Sequence, residues 1–134
     1  MAERDAVLFA NEAFYRAFAD ADFSDMCRIW ATGRDDISVI HPGAAPISGR
    51  ERVLETWQAI FEGAAGVDIA FSDAEARIYG DVAIVMCSEL VHGHGLSATN
   101  VFCRTDEGWR IVHHQAGPRE IARRNTGSER PVLH

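Results

Sequence analysis

No stretch of this sequence approaches the ~20 apolar residues that a bilayer-spanning helix requires. Its first residues lack the basic start, apolar run and cleavage site of a secretory signal. The three cysteines, Cys27, Cys87 and Cys103, are odd in number and widely spaced, with no C-x-x-C pair. That argues against a disulfide framework and suits reduced thiols, so a cytoplasmic location is expected. Positive charge is scarce: 13 Lys and Arg against 20 Asp and Glu leave a formal net charge of -7. A phosphate backbone calls for clustered cations, so neither nucleic acid nor a membrane is an expected partner. The one basic cluster, Arg119, Arg123 and Arg124, lies near the C-terminus, where a solvated tail accounts for it. No G-x-S-x-G elbow supplies an activated serine. The glycines between Gly63 and Gly66 lack the Lys-Ser/Thr of a phosphate loop, and no cofactor is expected.

What is present is enough apolar residue for a core. The chain has 134 residues, 47% hydrophobic and 25% charged, which fits one domain over residues 1–118 and a C-terminal tail over 119–134. Residues 4–20 place Val7, Ala10, Phe14, Ala17 and Phe18 on one helical face. Asp22 is a good N-cap for a second helix carrying Phe23, Met26, Cys27 and Trp30. Residues 37–41 read as a short strand stopped by Pro42-Gly43. Ser48 and Glu51 have capping-box spacing before a third helix with Val53, Leu54, Trp57, Ile60 and Phe61 on its apolar face, and Gly63 as its stop.

After Gly66 the period changes to two. Val67, Ile69 and Phe71 alternate, and strands over 82–92, 98–105 and 109–116 follow, separated by Gly80-Asp81 and Asp106-Glu107-Gly108 turns. Helices first and hairpin strands after define an α+β layout, with three N-terminal helices covering a curved antiparallel sheet. The strand from Val82 is apolar on both faces: Ala83, Val85, Cys87 and Val91 on one, Val82, Ile84, Met86 and Leu90 on the other. Helices can cover only one of them, so a homodimer through the sheet is expected.

Five segments carry a resemblance. Residues 11–23 read NEAFYRAFADADF, His41-Pro42-Gly43 follows, residues 47–53 read ISGRERV, and ATNVF at 98–102 precedes GWRIVHHQAGP at 108–118. This text resembles the nuclear transport factor 2-like superfamily, which includes SnoaL-like cyclases and ketosteroid isomerases, and it resembles the small bacterial SnoaL-like proteins most. The resemblance implies a cone-shaped, cystatin-like α+β barrel whose concave face lines a pocket and whose sheet dimerises. It does not by itself assign an activity, because this scaffold hosts enzymes, carriers and assembly domains.

The resemblance also supplies candidate residues. Ketosteroid isomerases move the proton with an Asp before a Pro at the end of the first strand, and here His41 precedes Pro42. A histidine suits proton transfer at neutral pH, and a structural histidine at the strand end is the other reading. The isomerases' oxyanion hole uses a Tyr on the first helix and a protonated Asp on the penultimate strand. Those positions fall on Phe14 and Asn100, with Tyr15 one residue away and turned by ~100°. An amide donates more weakly than a neutral carboxylic acid, so steroid isomerisation is not expected. His41 and Asn100 are the candidate catalytic pair.

Period-two counting puts Asn100 and Phe102 on one strand face. The family register adds His113, Gln115 and Glu89 to it. Together with Tyr15 and with Trp57, which is core or pocket wall, these are the candidate ligand-binding residues. Few polar groups in an apolar hole suit a small apolar or aromatic ligand, and a hydrogen-bonded structural network is the rival. His92, His94 and the pair His113-His114 raise the question of metal. The first two flank glycines in loop-like text and the pair points to opposite faces, so no metal site is expected. The expected function is a small-molecule pocket protein with weak isomerase- or cyclase-like chemistry, the alternative a non-catalytic dimerisation or interaction domain.

Overall fold

The computed structural model describes residues 2–119, and the expected tail beyond Arg119 lies outside them. The elements run α1 (Glu3–Asp20), α2 (Phe23–Ile29), β1 (Ser38–Ile40), β2 (Ile47–Ser48), α3 (Arg50–Phe61), β3 (Ile69–Tyr79), β4 (Val82–Val91), β5 (His94–Thr105) and β6 (Gly108–Pro118). Six strands form one sheet in the order β2-β1-β6-β5-β4-β3. Every pairing is antiparallel except β1 with β6, which is parallel and sets Val39 opposite His114. The α+β architecture read from the sequence is the one observed. No helix among the described residues is long and apolar enough to cross a membrane.

Two local features of the helices follow different rules. Asp22 caps α2 as expected, its Oδ1 accepting the Asp25 amide at 3.0 Å. The α3 cap is corrected: Gly49 is the N-cap, with φ of 98°, and Ser48 gives no capping bond. Ser48 is instead held in β2 by its pairing with Ser38. The carboxylate at this helix start comes from Asp35, whose Oδ1 accepts the Arg50 amide at 3.2 Å. Only a residue without a side chain has the freedom for that backbone angle, and a Cβ there would meet Asp35 Oδ1 at 3.4 Å.

Arg50 then ties α3 to the end of α2. Its guanidinium donates to the carbonyls of Cys27 at 2.8 Å, Trp30 at 3.0 Å and Ala31 at 2.8 Å. Helix C-termini leave such carbonyls without intrahelical partners, and a planar five-donor group can serve three of them together. Replacing Arg50 by methionine is expected to cost ~2 kcal/mol in urea unfolding, and lysine should recover only part of it. A loss below ~0.5 kcal/mol would show that water serves these carbonyls equally well.

The core lies between the helices and the concave face of the sheet, where Phe14, Trp30, Trp57, Val85, Phe102 and Ile111 are all fully buried. A bulge on β3 at Ser72 to Glu75, with Asp73 at a φ of 58°, bends that edge strand. A second bulge, on β6, matters more for the site. Val101 faces His113 but Phe102 faces Ile111, so Val112 is an extra residue and the side-chain alternation of β6 shifts there. Trp109 and Ile111 are buried before the bulge, and Val112, His114 and Ala116 after it.

Candidate functional site

The concave interior is built from α1, the end of β1, α3 and the middle of β4, β5 and β6. Its buried polar groups are Asn11, Glu89, Asn100 and His114. Asn100 is their junction. One amide hydrogen goes to Asn11 Oδ1 at 2.9 Å and the other to the Tyr15 hydroxyl at 3.2 Å. Its carbonyl oxygen accepts from His114 Nδ1 at 2.6 Å. Tyr15 passes the chain on, donating to Glu89 Oε2 at 2.5 Å, with the Cys87 thiol 3.3 Å from the same hydroxyl.

The electrostatics follow from burial. Desolvation pushes the Glu89 carboxyl up, with the Tyr15 hydrogen bond pulling the other way. It also raises the Tyr15 phenol, reinforced by Glu89 and then Cys87, so Tyr15 stays a donor. His114 is lowered from 6.5 to about 3 by burial first and by the nearby His41 and His113 second. It is therefore a neutral imidazole whose proton sits on Nδ1, facing Asn100.

Beside this network stands an aromatic wall. The Trp57 ring packs edge-on to Phe14 at 5.6 Å, to Phe18 at 4.8 Å and to His41 at 4.9 Å between centroids. His41 is half-buried and lies 6.3 Å from the His114 ring. Burial lowers its pKa, so it too is uncharged at neutral pH. Its Nε2 is 2.9 Å from the Thr56 hydroxyl, which lies 2.6 Å from the Val53 carbonyl. The Trp57 indole N–H and the Asn11 amide nitrogen Nδ2 are buried without an acceptor among the described residues.

The placement of the expected residues divides cleanly. His41, Asn100, Tyr15, Trp57, Glu89 and Phe102 converge on the interior. Tyr15 does so although it is turned from Phe14, because the buried face of α1 is wide enough for both. His113 and Gln115 do not. The β6 bulge reverses their side, so Gln115 is exposed and His113 bonds Ser38 Oγ at 2.7 Å through Nδ1. His114, which counting by twos had sent to the other face, stands directly opposite Asn100. Asn11 and Thr56 were also missed. The sequence trace of the bulge is Ile111-Val112, two consecutive apolar residues that break the period of two.

His92 and Gly93 form the two-residue turn between β4 and β5, with φ of 49° and 83°. No three His, Cys, Asp or Glu side chains among the described residues come together as a metal set. Arg119 of the basic cluster is anchored, its guanidinium donating to Ser88 Oγ at 2.7 Å. A surface groove of about 490 Å³ lies beside α1, lined by Phe9, Ala13, Arg28 and Trp109 among others, and contains none of the expected ligand residues.

Residues 7–118 match the SnoaL-like domain family. Among solved structures, a putative dehydratase of the NTF2-like family from Streptomyces avermitilis is 31% identical, with a TM-score of 0.80 over 88% of this chain and 96% of that one. A putative calcium/calmodulin-dependent protein kinase type II association domain from Thiobacillus denitrificans is 33% identical, with a TM-score of 0.75 over 83% and 93%. The F-box protein SKIP8 of Arabidopsis thaliana is 30% identical over 113 residues, 83% of this chain. The chain spans about half of that relative, 48% of its length.

Proposed function

The chain belongs to the SnoaL-like domain family, and on that premise we propose that it is a pocket protein for a small apolar or aromatic molecule, with His41 as its acid–base group. The observation that carries this reading is His41 itself. It is half-buried, uncharged and set edge-on against Trp57, with Thr56 as its one side-chain hydrogen-bond partner among the described residues. An imidazole placed so can exchange a proton with a neighbour near neutral pH. The chemistry it suits is weak isomerase- or cyclase-like proton movement on an apolar metabolite. The likeness to a putative dehydratase supports an enzymatic use of the fold. Asn100 enters this reading as the group that holds the network together, since all its hydrogens are committed within the protein.

A thermal-shift screen of aromatic, polycyclic and enone compounds against wild type and His41→Leu tests it. A ligand present at a hundredfold excess over its Kd stabilises the folded state by ~2.7 kcal/mol, several degrees in Tm. The expected result is a hit that His41→Leu loses. Hits of equal size in both proteins would move the ligand away from His41, and the groove beside α1 would be the next place to look.

A second reading, an interaction domain without catalysis, draws on the outer face of the sheet. Val82, Met86 and Leu90 are 37%, 43% and 51% exposed there, an apolar row that water covers poorly. The likeness to an association domain points the same way. Both readings include a homodimer through this face. Leu90→Asp with Met86→Asp is expected to halve the mass measured by light scattering at micromolar concentration, with the circular dichroism unchanged. A wild-type monomer under those conditions would remove the dimer from both.

A further inference from the structure

We infer that Thr56 fixes His41 in the tautomer that carries its proton on Nε2, so that a ligand beside His41 meets the unprotonated Nδ1 and must offer it an O–H or N–H donor. The step rests on counting hydrogens. Thr56 sits on α3 three residues after Val53, and its hydroxyl has one hydrogen, which is spent on the Val53 carbonyl at 2.6 Å. The same oxygen lies 2.9 Å from His41 Nε2 and can therefore only accept there. A neutral imidazole has one N–H, so Nδ1 keeps its lone pair, and no described side chain donates to it.

His114 is fixed the opposite way by the same logic. The oxygen of Asn100 is an acceptor, because the two amide hydrogens of that residue reach Asn11 Oδ1 and the Tyr15 hydroxyl. His114 Nδ1, at 2.6 Å from that oxygen, carries the hydrogen, and its Nε2 is left with a lone pair. Two imidazoles whose ring centroids lie 6.3 Å apart, both packed against Trp57, thus each keep one acceptor nitrogen. A ligand seated against them is disfavoured when its polar atoms are all acceptors, since unmatched lone pairs lose their water on binding. Thr56 acts through His41 and is a positioning residue.

The inference deepens the pocket reading and depends on it for the ligand clause, whereas the tautomer is a property of the protein alone. Long-range 1H–15N correlation spectra of the histidine rings at pH 8 separate the two. The expected spectrum of wild type shows His41 with a protonated, pyrrole-type Nε2 and an unprotonated, pyridine-type Nδ1. In Thr56→Val the two nitrogens should move toward a tautomer average, and Thr56→Ser should restore the wild-type pattern. A wild-type His41 protonated on Nδ1, or a Thr56→Val spectrum identical to wild type, overturns the assignment. For the ligand clause, 2-naphthol and its methyl ether 2-methoxynaphthalene are matched probes. Naphthol shifting the His41 Nδ1 resonance while the ether leaves it in place supports the donor requirement. An equal shift from both overturns it with the pocket reading intact. No shift from either counts against the ligand clause and the pocket reading together, and leaves the tautomer standing.

Discussion

Asn100→Leu is expected to lose ~4 kcal/mol of folding stability in urea unfolding, more than any single hydrogen bond is worth. Leucine is near asparagine in size, so the loss is not a cavity. It is the price of two buried groups left without partners and a third left short of one. His114 Nδ1–H loses its acceptor, Asn11 Oδ1 loses its donor, and the Tyr15 hydroxyl loses a donor while keeping Glu89 and the Cys87 thiol. Each unsatisfied buried group costs ~1–3 kcal/mol, because in the unfolded chain it would be hydrated. Asn100→Asp is the informative companion. An aspartate would still accept from His114 but would set an acceptor against Asn11 Oδ1 and introduce a charge where nothing positive stands. Its destabilisation should therefore shrink in acid, as the carboxyl takes up a proton, whereas that of leucine should not. A loss under ~1 kcal/mol in Asn100→Leu would mean that the network relaxes onto water, and Asn100 would again be free to serve a ligand.

The sequence was legible where burial has a period and opaque where it does not. The apolar face of α1 and the alternation at Val67, Ile69 and Phe71 leading into β3 announce themselves because every third or fourth, or every second, residue must face the core. Asp22 is legible as a cap because its partner is three residues away. The α3 cap fails for the opposite reason: Asp35 reaches the helix start across a loop, and the local Ser48–Glu51 pattern is overridden by the pairing of Ser48 in β2. The site shows the same division. Asn100 and Glu89 are polar residues on otherwise apolar strand faces, and the family resemblance is what singled them out. His113 was set on the pocket face by the family register, with His114 opposite it by strand alternation; that placement assumes an unbroken strand, and one extra residue at Val112 inverts everything after it. Thr56 was invisible because a threonine beside a helix's apolar stripe breaks no pattern. Its importance depends on where the far end of β1 brings His41, and that is set by the parallel pairing of β1 with β6, which local sequence does not encode.

His114 is expected to make the protein acid-labile in a window that opens near pH 6.5, above the carboxylate range. Its pKa falls from 6.5 in the unfolded chain to about 3 in the fold, chiefly through burial. Between those values the unfolded chain binds a proton that the native state does not, so stability rises with pH across the window. The contribution is complete above pH 6.5 and is lost as the pH falls towards 3, by ~1.4 kcal/mol per unit. His41, lowered by its own burial, adds to the same slope. Glu89 opposes it: a carboxyl raised by burial loses stability as the pH climbs above its ordinary 4.5, so the wild-type curve is a compromise in that range. The clean measurement is a difference. His114→Asn keeps an amide nitrogen where Nδ1 donates to Asn100 and removes the titration, at a packing cost against Phe14 and Trp57 that does not change with pH. Between pH 6.5 and 4.5 the wild type should lose roughly 2 kcal/mol more than this variant in urea unfolding. Parallel curves would mean that His114 takes up its proton in the native state, and a charged imidazole could then no longer offer Nε2 as an acceptor to a ligand.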